Sequence, residues 1–200
     1  ALHHAVRVAT NAAEFTKTWA HQAYATGQQS YDDVAELCGG VSGTVNLLVR
    51  RGYQSGPNFD LVCGYDLFKS EDRWYFFEYL AHCRPSVLIT STPCTGLKGF
   101  SALNRVVNPE GWRRSRRTSL ALGGIAIEAA RLQLAERRHF IIEQPLDSDL
   151  FQTEVWKKLE GDYQIYQATV DQCMAGKRGK RTLMPIKKPT DFRSSRRQFL

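Results

Sequence analysis

The sequence has no apolar run of membrane-spanning length and no signal-peptide layout, so neither a spanning helix nor a cleaved leader is expected. Cysteine is sparse. Cys38, Cys63, Cys83, Cys94 and Cys173 are odd in number and widely spaced, and none forms a Cys-x-x-Cys pair. That excludes a disulfide framework and a recognisable zinc site, so no metal is expected. It fits a reducing, intracellular compartment, the nucleus included. The dinucleotide signature Gly-x-Gly-x-x-Gly is missing, and so is the phosphate-loop ending Gly-Lys-Ser/Thr, which argues against NAD and ATP. Internal repeats are absent. The chain starts at Ala1 rather than methionine, as expected of a processed chain or a piece of a longer one.

Acidic residues are the minority. Lys and Arg number 27 against 20 Asp and Glu, for a net charge of +7. The excess is clustered in Arg113-Arg114-Ser115-Arg116-Arg117 and in Lys177-Arg178-Gly179-Lys180-Arg181. Lys187, Lys188, Arg193, Arg196 and Arg197 continue the second cluster. Such clusters suit a polyanion, because Lys and Arg displace condensed counterions from phosphates. A solvated basic surface is the blander reading.

The 200 residues, 42% of them hydrophobic, suffice for one α/β domain with short extensions. Residues 1–30 read as a helical extension, with His3 and His4 exposed rather than ligating. Asp33 to Cys38 reads as a strand and Thr44 to Arg51 as a helix. Phe59 to Cys63 reads as the second strand. Ser70 to His82 reads as a helix capped by Ser70, with Trp74, Phe77 and Leu80 facing inward. Val87 to Ser91 and His139 to Glu143 read as further strands. Phe100 to Trp112 reads as a loop, and Ser119 to Arg137 as a long helix. A helix near Leu150 to Leu159 and a strand over Tyr163 to Val170 complete the pattern. Alternating strands and helices predict a mainly parallel, Rossmann-like sheet flanked by helices over residues 31–190. Residues 191–200 read as a loosely ordered basic tail.

Four strand ends carry candidate chemistry, because ligands of open α/β sheets bind at the carboxyl edge. After the first, Glu36-Leu37-Cys38-Gly39-Gly40-Val41-Ser42-Gly43 forms a glycine turn into a helix. Its spacing suits an adenosyl ligand without a pyrophosphate. Gly64-Tyr65-Asp66 offers a flat ring for adenine and an acid for ribose hydroxyls. After the third, Thr92-Pro93-Cys94 presents a thiol, and Glu143 ends the fourth strand with a carboxylate. A thiol and a carboxylate sharing a pocket suggest a nucleophile and an acid.

This set of motifs resembles the DNA cytosine-5 methyltransferase family. Glu36 to Gly43 is similar to its cofactor motif, Thr92-Pro93-Cys94 to its Pro-Cys nucleophile loop, and Glu143-Gln144-Pro145 to its Glu-Asn-Val motif. Arg178 to Arg181 is similar to its Gln-x-Arg-x-Arg segment. The order is that of the family, over residues 33 to 185. Methyltransferase-like segments of eukaryotic retroelement polyproteins resemble the chain further, at Gly64-Tyr65-Asp66-Leu67-Phe68, Leu103-Asn104-Arg105 and Lys188-Pro189-Thr190. The departures are Thr-Pro-Cys-Thr for Pro-Pro-Cys-Gln, Gln144 for Asn, and Gly64 where an acid is usual. Asp66 and Arg84-Pro85 also stand too close for a full strand–helix unit, and no target-recognition domain follows the basic segment.

The resemblance implies a methyltransferase-type fold with one strand–helix unit reduced. It implies S-adenosylmethionine held by Glu36, Leu37, Cys38, Gly39, Gly40, Gly43, Tyr65, Asp66 and Pro93. It further implies methyl transfer to carbon-5 of a flipped-out cytosine, with Cys94 as nucleophile, Glu143 as acid, and Arg178 or Arg181 on the base or a phosphate. The expected partner is nucleic acid, DNA ahead of RNA, with no membrane. The alternative is a nucleic-acid-binding domain of the same fold without activity. A methyltransferase for another target is a third class. The missing Asn/Asp-Pro-Pro-Tyr/Phe motif argues against amino-methylation.

Overall fold

The computed structural model describes residues 32–98, 101–179 and 182–200. The expected N-terminal helices, Phe100 and the candidate Arg181 lie outside the described residues.

Six strands make one sheet in the order β2-β1-β3-β4-β6-β5. Strands β1 (Val34–Leu37), β2 (Ser55–Phe59), β3 (Val87–Thr90) and β4 (His139–Pro145) run parallel. Strand β6 (Pro189–Ser194) enters antiparallel between β4 and β5 (Tyr166–Asp171). The mainly parallel, Rossmann-like sheet is therefore as expected. One helix, α2 (Ser70–His82), joins β2 to β3. The abbreviated unit accordingly falls beside the edge strand β2. The other helices are α1 (Gly43–Val49), α3 (Ser101–Val107), α4 (Pro109–Ala135) and α5 (Glu154–Asp162).

Strand alternation sorts the two faces. Ala35, Leu37, Phe59 and Leu88 join one core with Tyr75, Phe76, Tyr79 and Leu80 of α2 and with Leu122, Ile125, Ala126 and Ala129 of α4. Phe140 and Ile142 of β4 pack with Ile127 and Ala130 of α4 and with Trp156 and Leu159 of α5. Full burial of one side chain such as Phe76 contributes about 2–3 kcal/mol. Glu36 points the opposite way from Leu37, toward α1, where its Oε1 accepts the Val45 N–H at 3.3 Å. Both faces of the sheet therefore carry helices.

Five local readings change. The second strand ends at Phe59, and Leu61–Cys63 is a 3₁₀ turn started by Asp60, whose carboxylate accepts the Val62 N–H at 2.8 Å. Pro57 is tolerated because β2 lies at the sheet edge, where its missing N–H breaks no ladder. In α2, Lys69 is the N-cap and Ser70 the first helical residue. Its buried face is Tyr75, Phe76, Tyr79 and Leu80, and Trp74 is 55% exposed. The expected loop before Trp112 is α3 plus the start of α4, where Asn108 accepts the Gly111 N–H at 3.0 Å and Pro109 fills the first turn. The expected tail from residue 191 begins inside β6, with Asp191 and Ser194 buried. Its alternation with β4 and β5 supplies the pairing that its basic composition conceals.

Candidate functional site

The carboxyl ends of β1, β2 and β3 open into a cavity of about 280 Å³. Cys38, Gly40, Asp60, Tyr65, Asp66 and Pro93 line it, over a floor that includes Phe59 and Leu122. Four of the predicted cofactor residues other than Pro93 thus meet in one place.

Asn58 braces the glycine turn. Its Oδ1 accepts the Gly39 N–H at 3.1 Å, and its Nδ2 donates to the Gly40 carbonyl at 2.8 Å and lies 2.8 Å from Ser42 Oγ. Gly40, which lines the cavity, has φ +60, a left-handed backbone that favours glycine. Gly39 has no such room, since a Cβ would come 2.7 Å from Glu36 Oε2. Glu36 itself is 2% exposed, and its Oε2 is buried without a hydrogen-bond partner. Burial raises its pKa against the lowering pull of the Val45 N–H and Thr44. Glu36 therefore shapes the turn from beneath. Leu37 lies in the apolar core, and Gly43 opens α1 with free space around it.

Asp60 is a residue that the sequence reading missed. It follows the last residue of β2, and its Oδ2 accepts the Gly40 N–H at 2.9 Å. Each of its oxygens accepts one bond within the protein and retains acceptor capacity toward the cavity. The signal was present in Pro57-Asn58-Phe59-Asp60, but assigning Phe59 to Cys63 to the strand hid it. Asp66 lines the same cavity, with its Oδ1 accepting the Phe68 N–H at 3.1 Å and its own N–H donating to Asp72 at 2.8 Å. Tyr65 is 1% exposed, stacks on Tyr75 at 6.0 Å between ring centroids, and is pushed up in pKa chiefly by burial. Burial also pushes the Cys38 thiol up to about 12, with Asp60 adding to the rise.

Beyond the cavity rim, the Thr92-Pro93-Cys94 loop is fixed from β4. Gln144, fully buried, donates through Nε2 to the Thr92 carbonyl at 2.8 Å and to its hydroxyl at 3.0 Å. Ser148 donates to Gln144 Oε1 at 3.0 Å. Glu143, next in the strand, projects to the other face, where it accepts from Gln172 Nε2 at 3.4 Å and Lys188 Nζ at 3.5 Å. The Cys94 thiol is raised in pKa by burial first, then lowered by Lys188 and raised by Glu143. The thiol and the carboxylate therefore act on each other electrostatically. Arg178 is placed elsewhere. It is exposed and donates to the Leu183 carbonyl of its own hairpin at 3.1 Å.

A second, more open cavity of about 660 Å³ follows Cys94. Lys98, Arg105, Trp112 and Asp149 are among its walls. The guanidinium carbons of Arg105 and Arg116 lie 5.4 and 5.7 Å from the Trp112 ring centroid. Of the arginine cluster, Arg113 pairs with Glu110, Arg116 pairs with Asp149, and Arg114 and Arg117 are exposed. Cys38, Cys63, Cys94 and Cys173 carry free thiols. Among the described residues no group of three His, Cys, Asp or Glu is placed to hold a metal, and no helix is long and apolar enough to cross a membrane.

No family model matches the chain, and no curated protein matches it. Among solved structures it is similar to the Entamoeba histolytica methyltransferase EhMeth, at 12% identity and a TM-score of 0.44 over 84% of this chain and 54% of that one. The chain thus spans about half the length of that protein. An antibiotic-related methyltransferase matches at 12% identity and a TM-score of 0.43, over 88% of this chain and 92% of that chain. The magnesium protoporphyrin IX methyltransferase ChlM of Synechocystis PCC 6803, solved with bound SAM, matches at 12% identity and a TM-score of 0.34. That match covers 96% of this chain and 82% of the other.

Proposed function

We propose that this domain binds S-adenosylmethionine and methylates carbon-5 of cytosine in nucleic acid through Cys94. One observation carries the reading. The cavity at the ends of β1 to β3 is rimmed by Pro93, and Gln144 ties the adjoining Cys94 loop to the strand that carries Glu143.

The residues suit the cofactor. Gly40 lines the cavity with a backbone that favours glycine, and Asp60 offers carboxylate acceptors for ribose hydroxyls at the end of β2. Phe68, exposed at the cavity, supplies apolar ring surface for a flat purine, with Tyr65 and Phe59 buried behind it. When bound, S-adenosylmethionine supplies an electrophilic methyl group on a sulfonium. The chain does the rest. Deprotonated Cys94 adds to carbon-6 of the cytosine. Glu143, taking up a proton from solvent as the base binds, holds the exocyclic amine and passes that proton to the ring nitrogen. Once carbon-5 is methylated, its proton leaves to solvent, the sulfur–carbon-6 bond breaks to release the Cys94 thiolate, and the ring nitrogen gives up its proton again. Gln144 keeps the thiol loop in register with Glu143 by gripping Thr92. The target base must leave its stack to reach a thiol in a loop. The Arg105–Trp112–Arg116 surface beside Cys94 suits a phosphate backbone and an unstacked base.

The test uses an oligonucleotide carrying 5-fluorocytosine. With S-adenosylmethionine present, a covalent protein–oligonucleotide adduct is expected, and Cys94→Ala abolishes it. Absence of any adduct, with no thermal shift on adding S-adenosylhomocysteine, overturns the proposal.

The placement of Arg178 on its own hairpin favours a second reading, a nucleic-acid-binding domain without turnover. Salt-dependent oligonucleotide binding with no methyl incorporation selects it.

A further inference from the structure

The basic residues after β5 are not equivalent. Arg178 is spent on its own turn, whose strands pair through Arg178 and Pro185. Lys187, 76% exposed, lies 3.8 Å from Asp171. Lys188 differs from both. Its carbonyl accepts from the Gln172 N–H at 3.1 Å and from Thr190 Oγ1 at 3.2 Å, which pins its backbone at the entry to β6. Strand β6 is in turn laddered to β4, so the anchor of Lys188 and the strand carrying Glu143 form one rigid unit. From there its ammonium reaches the Glu143 carboxylate at 3.5 Å, and its side chain is 36% exposed. Gln172 donates to the same carboxylate oxygen and is itself held by Lys177 Nζ at 2.6 Å.

We propose that Lys188 is the positioning cation of this site, offsetting the charge of Glu143 at the Cys94 thiol. The proposal rests on the reading of Cys94 as the nucleophile. Gln144 ties the loop of Cys94 to β4 through Thr92, and on the same strand Glu143 pairs with Lys188 at 3.5 Å, so both charges bear on the thiol. Without a cation, ionising Cys94 beside an ionised Glu143 sets two negative charges against each other. With Lys188 in place, the thiol releases its proton to solvent at lower pH, and Glu143 is held where a base presents its amine. The arginine role implied by the basic segment thereby passes to a lysine one strand entry later.

The experiment measures alkylation of Cys94 in the full chain by iodoacetamide across a pH series, with the Cys94 peptide quantified by mass spectrometry. Lys188→Met should raise the apparent pKa of Cys94 and slow its alkylation about threefold or more near pH 8. Lys188→Arg should restore the wild-type rate, and Glu143→Gln should speed it. Lys187→Met, one residue away, should change nothing. Lys188→Gln repeats the measurement if the methionine variant loses its circular dichroism spectrum. An unchanged Cys94 profile in the neutral Lys188 variants overturns the proposal, as does an arginine variant no faster than they are. No arm needs a cofactor. A protein that fails to bind S-adenosylmethionine yet shows these shifts loses the methylation reading and keeps the Lys188 assignment.

Discussion

The side-chain amide of Gln144 donates to the main-chain carbonyl of Thr92 at 2.8 Å. Through this bond β4 fixes the loop that carries Cys94 while presenting Glu143 on its opposite face. Two neighbouring residues thus divide the work, one holding the thiol loop and the other pairing with Gln172 and Lys188.

Gln144→Leu should therefore be costly. It leaves the Thr92 carbonyl without its side-chain donor and Ser148 without its acceptor in a fully buried setting. The expected loss is about 1–3 kcal/mol of unfolding free energy, read from urea denaturation. Gln144→Asn should recover part of it, because the amide is kept on a shorter arm.

Asp60→Asn tests the acid that the cavity presents. Asparagine keeps one of the two acceptor oxygens, so either the Gly40 or the Val62 amide loses its partner, and stability should fall by about 1–2 kcal/mol. Binding should suffer far more. The thermal shift given by S-adenosylhomocysteine is expected to vanish in Asp60→Asn and to persist in Asp66→Asn, which would settle which carboxylate meets the ribose.

Gly96→Ala probes the far side of the thiol loop. A Cβ there would sit 2.4 Å from the backbone of Arg116, and a helix backbone cannot rotate away as a side chain can. The variant should lose about 1–3 kcal/mol through displacement of α4. Gly124→Ala, in the same helix with open space around it, is the control and should be neutral or mildly stabilising.

Stability should also decline in alkaline solution. The folded Cys38 thiol keeps its proton to about 12, whereas an unfolded thiol loses it near about 8.5. A raised folded-state pKa gives stability that is fully present below the unfolded value and is lost as pH climbs toward the folded one. Denaturation midpoints measured near about pH 8 and about pH 10.5 should therefore diverge. The gap should narrow in Cys38→Ala, and an equal gap in both proteins would remove Cys38 as a source.

Much of this architecture could be read from residue patterns. The glycine turn and the Pro-Cys loop lie at the carboxyl edge of the sheet as expected, because buried parallel strands show as apolar runs ending in turn residues. Strand β4, by contrast, runs on to Pro145 and leaves Glu143 inside the strand, opposite Phe192. Asp60 was lost to a physical ambiguity. Phe59-Asp60-Leu61-Val62-Cys63 has the composition of a strand, but a side-chain cap turns it into a 3₁₀ coil. The α2 face was misjudged because Trp74 is the larger ring, yet the helix buries Tyr75 and Phe76 beside it. The start of α4 escaped notice because its arginines hold no apolar period until Leu120. Lys188 was indistinguishable from its basic neighbours until β6 gave it an address.

The position of β6 also dictates when the domain can be complete. Among the described residues, strand β5 hydrogen-bonds to no strand except β6, and the β4 edge facing it stays bare until residues 189–194 arrive. During synthesis, the parallel half has all its partners well before these residues leave the ribosome. The carboxyl half must wait with two unpaired ladders, an invitation to intermolecular zippering that chaperones or rapid translation of residues 189–194 would have to shorten.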